Sequence, residues 1–86
     1  MNVAINQIEP RLLDVRVSEK EIIVFLADGR TVSVPLAWSW RLSEASQKAR
    51  QNFQIFGDGQ GIHWPDVDED ISVAGMLGGL PAWRSS

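Results

Sequence analysis

His63 is the one histidine of the chain, and the carboxylates Asp66, Asp68, Glu69 and Asp70 follow it closely. An imidazole beside a carboxylate is the pairing that general acid–base chemistry uses, because the acid orients the ring and steadies its proton. A hydrolytic site would also need a nucleophile. No serine stands in a nucleophile-elbow motif, and the chain has no cysteine. The better reading of His63 is therefore structural, with one ring nitrogen bonded to a backbone or carboxylate group that pins its loop. Acid–base work and contact with a partner are the alternatives. The acidic run offers oxygen ligands of the kind Ca²⁺ and Mg²⁺ take, but it lacks the central glycine and distal glutamate of a calcium loop. It stands just ahead of a helical segment, where carboxylates are favoured by the helix dipole. Capping is the expectation, and recognition of a basic partner is the alternative. No metal set and no cofactor are assigned.

Two other groups carry candidate chemistry. Gly57-Asp58-Gly59-Gln60-Gly61 has the glycine density of a phosphate loop. Such a loop works when a helix N-terminus follows it directly. Here Ile62-His63-Trp64-Pro65 follows, so a tight turn permitted by glycine is the better reading. Trp38 and Trp40 flank Ser39, with Arg41 next. In extended backbone both indoles would face one side. Tryptophan fills small cores and is also enriched at binding hot spots, so both roles stay open for this pair. Arg41 would either pair with the acidic run or stack on an indole.

The elements that must position these residues can be read from hydrophobic period. Leu13, Val15 and Val17 alternate with polar residues, as in a strand with one buried face. Ile22 to Leu26 is a continuous apolar run, suited to a strand covered on both faces. Asp28-Gly29 predicts a two-residue type I′ turn. Val32, Val34 and Leu36 then alternate, and Pro35 either ends that strand or places it at an edge. The first forty residues thus form a three-stranded antiparallel meander. Ser43 is expected to cap one helix over about 44–52, with Leu42, Ala45, Ala49 and Phe53 on a narrow apolar face. Two short apolar runs around the glycine turn give a second hairpin. Ser72 caps a last short helix from Val73 to about Leu77, ended by Gly78-Gly79. Residues 1–9 form a lead-in with partial strand character. Residues 81–86 form a flexible tail, although Leu80 and Trp83 could dock.

Composition narrows the function. With 86 residues the chain fits one domain, placed at 1–80. Its 44% apolar and 22% charged residues are ordinary for a globular fold. Net charge is −3, and the eight Lys and Arg residues are scattered rather than gathered into an arm. Direct nucleic-acid binding is therefore not expected. The chain shows no signal pattern and no apolar run of membrane length, so a cytoplasmic protein away from membranes is expected.

The order Asp28-Gly29-Arg30, Val34-Pro35-Leu36, Arg41-Leu42, Gly59-Gln60-Gly61-Ile62-His63-Trp64-Pro65 and Asp68-Glu69-Asp70-Ile71-Ser72-Val73 resembles the small bacterial family called domain of unknown function 2442. The Ile-His-Trp-Pro block followed by Asp-Glu-Asp-Ile is its most specific part. Two positions depart from the family pattern. Trp40 stands where proline is usual, which favours an exposed indole, and Ala74 stands where a charged residue is usual. The resemblance implies an α+β domain without assigned activity. Some relatives carry an added DNA-binding domain, and some are suspected halves of toxin–antitoxin pairs.

The expectation is an α+β fold, a small antiparallel sheet of a three-stranded meander plus a second hairpin, with two short helices. The expected function is a non-enzymatic protein–protein interaction module, the antitoxin-like partner of another small, basic bacterial protein. Its contact residues would be Trp38, Trp40, Arg41, His63, Asp68 and Glu69, with Asp28, Gly29, Gly57, Gly59 and Gly61 as structural turn residues. A metal-dependent or His-based hydrolase and an accessory domain of a transcription regulator are the alternatives. Homodimerisation through an exposed sheet edge fits all three.

Overall fold

The computed structural model describes residues 11–79. The lead-in, the tail and the expected docking of Leu80 and Trp83 lie outside the described residues. Strands β1 (Leu12–Val17), β2 (Glu21–Leu26) and β3 (Thr31–Pro35) form one antiparallel sheet in the order β1-β2-β3. A 3₁₀ turn, Leu36–Trp38, leads to helices α1 (Trp40–Ser43) and α2 (Gln47–Gln51). Strands β4 (Gln54–Phe56), β5 (Gly61–Trp64) and β6 (Glu69–Ser72) form a second antiparallel sheet, and helix α3 (Val73–Leu77) closes the series. The fold is α+β, as expected. The second hairpin gains β6 as a third strand, because Glu69 and Asp70 of the acidic run pair with β5 before the chain enters α3.

One core joins both sheets. Val15, Val17, Ile22, Val24, Leu26 and Val34 from the first sheet meet Leu42, Ile62, Trp64, Val73 and Met76. The phase of β1 differs from the simple alternation. A β-bulge between Leu12 and Asp14 turns Leu12 inward and leaves Leu13 exposed, while Val15 and Val17 stay buried. Among the described residues, β2 is fully covered on one face only. Ile22, Val24 and Leu26 are buried, and Ile23 and Phe25 sit half-buried on the outer face. Arg16 stacks its guanidinium 5.6 Å from the centre of the Phe25 ring on that outer face.

The turn at Asp28-Gly29 is not type I′. Only Gly29 has positive φ, at 97°. Gly29 N–H donates to Leu26 O, and Leu26 N–H donates to Arg30 O, so Ala27, Asp28 and Gly29 make a three-residue connection. Asp28 Oδ1 accepts from Arg30 N–H and Oδ2 from Arg30 Nε. The backbone bond from Arg30 is the main reason the Asp28 carboxyl lies below its ordinary pKa.

The expected helix over 44–52 is shorter, reduced to α2, and a separate helix, α1, precedes it. Ser43 is the last residue of α1, and the caps are Ser39 and Ser46, whose hydroxyls accept from Leu42 N–H and Ala49 N–H. Ser46 captures a backbone N–H that a continuous helix would need. Arg50 then satisfies carbonyls left at the end of α1, donating from Nε to Leu42 O and from Nη2 to Ser43 O. Leu42 and Ala49 still face the core, as their spacing required. Ser72 caps α3 by accepting from Gly75 N–H.

Candidate functional site

The Trp38-Ser39-Trp40 segment does not run extended with paired indoles. Trp38 ends the 3₁₀ turn and packs, half-buried, against the core. Trp40 is the first residue of α1 and is 55% exposed. The two rings therefore divide between the two roles their sequence left open. Ser39 between them is fully buried.

Ser39 holds α1 from beneath. Its Oγ accepts from Leu42 N–H at 3.2 Å and donates to Glu69 Oε2 at 2.6 Å. Glu69 is itself buried, on the inner face of β6 opposite Trp64. Its Oε1 accepts from Asp70 N–H at 3.1 Å and lies 3.8 Å from Arg41 Nη1. The guanidinium of Arg41 stands 5.3 Å from the centre of the Trp40 ring. A buried carboxylate is tolerable only when bonded and charge-balanced, and here Ser39, Asp70 N–H and Arg41 supply that. The chain from Glu69 to Ser39 to the first turn of α1 thus fixes Trp40 and Arg41 in place. Glu69 supports this surface from below and does not form part of it.

Between α1 and the β5–β6 turn lies an open groove of about 270 Å³, lined by Trp40, Arg41, Glu44, Ala45 and Val67. Asp66 and Asp68 flank Val67 in sequence and are exposed. Asp66 accepts from Asn52 Nδ2 at 3.1 Å, and Asp68 holds φ at 54°. Among the described residues, Glu44, Asp66 and Asp68 form no salt bridge. A second groove, of about 560 Å³, runs beside β1 and is lined by residues that include Arg16, Ile23, Gln47, Gln51 and Phe53.

His63 lies elsewhere. Gln54, His63 and Asp70 form one cross-strand row of the second sheet, and neighbouring Trp64 and Glu69 point to the opposite face. His63 Nδ1 meets Asp70 Oδ1 at 2.6 Å. An ionised carboxylate can only accept, so the proton of this bond sits on Nδ1 and Nε2 is the ring's remaining nitrogen. The pair ties β5 to β6. The acidic run does not cap α3; Ser72 does, and the four acids take four separate roles. Among the described residues no group of three His, Asp or Glu is placed to hold a metal ion.

The glycine segment is a turn. Gly57, Asp58 and Gly59 all have positive φ. At Gly59 a Cβ would lie 2.9 Å from Leu12 O, where the turn meets the start of the first sheet and Leu12 N–H donates to Gly59 O. Gly61 gives room to a side chain instead, since a Cβ there would press on the Phe56 ring.

Of the predicted site residues, the structure brings Trp40, Arg41 and Glu69 together, with Asp68 beside Val67 of the same groove. It does not bring Trp38 or His63 there. Sequence reasoning missed Ser39, Glu44, Ala45 and Val67. Ser39 was legible as a serine three residues before buried Leu42, the spacing of a cap, but Ser43 competed for that role. Nothing in sequence sets Val67 opposite α1.

No helix among the described residues is long and apolar enough to cross a membrane. No protein of curated function matches the chain. A protein of unknown function from Rhodospirillum rubrum, known from its crystal structure, is 32% identical, with a TM-score of 0.76 over 86% of this chain and 92% of that one. An uncharacterised protein from Chromobacterium violaceum, solved by NMR in solution, is 25% identical, with a TM-score of 0.68 over 83% of this chain and 67% of its own. Residues 12–82 match the family described as protein of unknown function DUF2442, and the chain belongs to that family.

Proposed function

We propose that this chain is a non-enzymatic protein–protein interaction module of the bacterial cytoplasm, the antitoxin-like half of a pair with another small protein. The carrying observation is Trp40, an indole 55% exposed yet mounted on a helix start that a buried Ser39–Glu69 bond holds still. Exposing a large ring forfeits the burial that stabilises a fold. A rigid exposed aromatic beside an arginine is the usual make-up of a binding hot spot. Contact there would mask the partner's working surface by steric cover.

The test is affinity purification from the native host of the tagged chain and of Trp40→Ala, with thermal melting of both. The reading expects one stoichiometric small protein with the wild type, lost from the variant at unchanged melting temperature. A chain that elutes alone, or a partner retained by Trp40→Ala, contradicts it.

The His63–Asp70 pair favours a second reading, a His-based hydrolase, because its geometry leaves Nε2 as the nitrogen that could take a proton. Neither groove described above is lined by His63. That reading requires a hydrolysis rate on a panel of ester and phosphoester substrates that His63→Ala abolishes.

A further inference from the structure

Resting on that reading, we propose that the groove between α1 and the β5–β6 turn accepts a cationic side chain, arginine or lysine, from an exposed basic segment of the partner protein. The inference starts from a local imbalance of charge. Arg41 is the groove's one lining cation, and it is already engaged by Glu69 and by the Trp40 ring. Glu44 in the groove wall and Asp66 and Asp68 beside Val67 carry no countercharge among the described residues. An acidic segment would meet Glu44 and an occupied guanidinium in the groove, with exposed Asp66 and Asp68 beside it in the turn. A basic segment would complete the pattern, and opposite charge would also speed its approach.

The shape agrees with the charge. About 270 Å³ lies below the range of roughly 300–1,000 Å³ common for small-molecule pockets, and it suits one long side chain. Ala45 and Val67 offer an apolar wall to a methylene stem, and Glu44 in the lining offers an acceptor to its charged tip. Trp40 offers exposed ring surface for a cation–π contact in addition to the one Arg41 makes.

The test uses the whole chain and two synthetic nonapeptides of one sequence pattern, one with three arginines and the other with glutamates in their place. Binding is followed by NMR at the Trp40 indole N–H and the Val67 methyls. The arginine peptide is expected to shift both. Its affinity should fall about tenfold in the variant Glu44→Gln/Asp66→Asn/Asp68→Asn, and again on raising salt. These substitutions keep an acceptor oxygen at Asp66 for Asn52, and asparagine tolerates the positive φ of Asp68. Equal binding by the glutamate peptide, shifts confined to other residues, or an unchanged affinity in the variant overturns the inference. The native partner separates this failure from the wider one. A partner lost by Trp40→Ala but held undiminished by the triple variant refutes the cationic occupant and leaves the interaction reading standing. The absence of any partner refutes the interaction reading itself.

Discussion

The two sheets have the same number of strands in the same order, but the first is long and closed off while the second is short and open. β1, β2 and β3 run five or six residues, and each sends its alternating apolar residues to the core. Two polar groups at the outer edge of β1 are occupied, since Val15 N–H donates to Asp14 Oδ1 and Val17 O accepts from Gln51 Nε2. β3 ends on Pro35. These are devices that keep an edge from pairing with another chain. β4 has three residues, all exposed, including Ile55 and Phe56. β6 buries a carboxylate, and the turns around β5 hold two non-glycine residues at positive φ, Asp58 and Asp68. Departures from local rules gather in the second sheet, whereas the first has the bulge in β1. Proteins concentrate such departures where a surface has work to do. Under the proposed function the first sheet would supply the base, and the second, with α1, would present the surface.

The largest expected effect tests whether the short sheet shares the core. Trp64 is fully buried, and its Nε1–H donates to Arg50 O at 3.0 Å. Trp64→Ala should cost about 3–5 kcal/mol in urea unfolding. A loss below about 1 kcal/mol would mean that the second sheet folds apart from the first.

Next comes the joint between the regions. Glu69→Ala leaves the Ser39 hydroxyl and Asp70 N–H without their acceptor, at a cost of about 1–3 kcal/mol. In a cycle with Ser39→Ala the two changes should couple by about 0.5–3 kcal/mol. Additive losses would show that the bond does not link the helix to the sheet.

A smaller effect is expected at Gly61, where alanine would press on the Phe56 ring. That ring is half exposed and can swing, so Gly61→Ala should cost about 1 kcal/mol, and a Phe56→Ala background should remove the cost. Persistence of the cost in that background would assign Gly61 a backbone role.

The smallest effect belongs to the first sheet. Asp28 has a folded pKa below its unfolded value, so its contribution is present above the unfolded pKa and fades as pH falls through the folded one. The melting temperatures of wild type and Asp28→Asn should differ slightly at neutral pH and converge in acid. A gap that persists in acid would rule out the charge as its source.

The contrast between the sheets also marks what sequence alone could show. The alternation of Val15, Val17, Val32 and Val34 carries the meander, because period two is a property of the strand itself. The bulge that exchanges Leu12 for Leu13 is invisible there, since it depends on how β1 registers with β2. Ile22 to Leu26 reads as buried on both faces, because an apolar run does not reveal that Ile23 and Phe25 are only half-covered. At the site, the Trp40–Arg41 pair and the acids were legible as types. The burial of Glu69 was not. It follows from β6 pairing with β5, which sets Glu69 opposite Trp64 and sends Asp70 the other way to His63.

Amide hydrogen exchange tests most directly the claim that a rigid platform carries the exposed ring. The Leu42 N–H, bonded to Ser39 Oγ beneath Trp40, should exchange as slowly as Ile22 and Val24 in β2, through global unfolding, while Ile55 and Phe56 in β4 exchange faster through local opening. Leu42 exchanging at the rate of β4 would mean that α1 frays freely, and would contradict a binding surface held in place by Glu69.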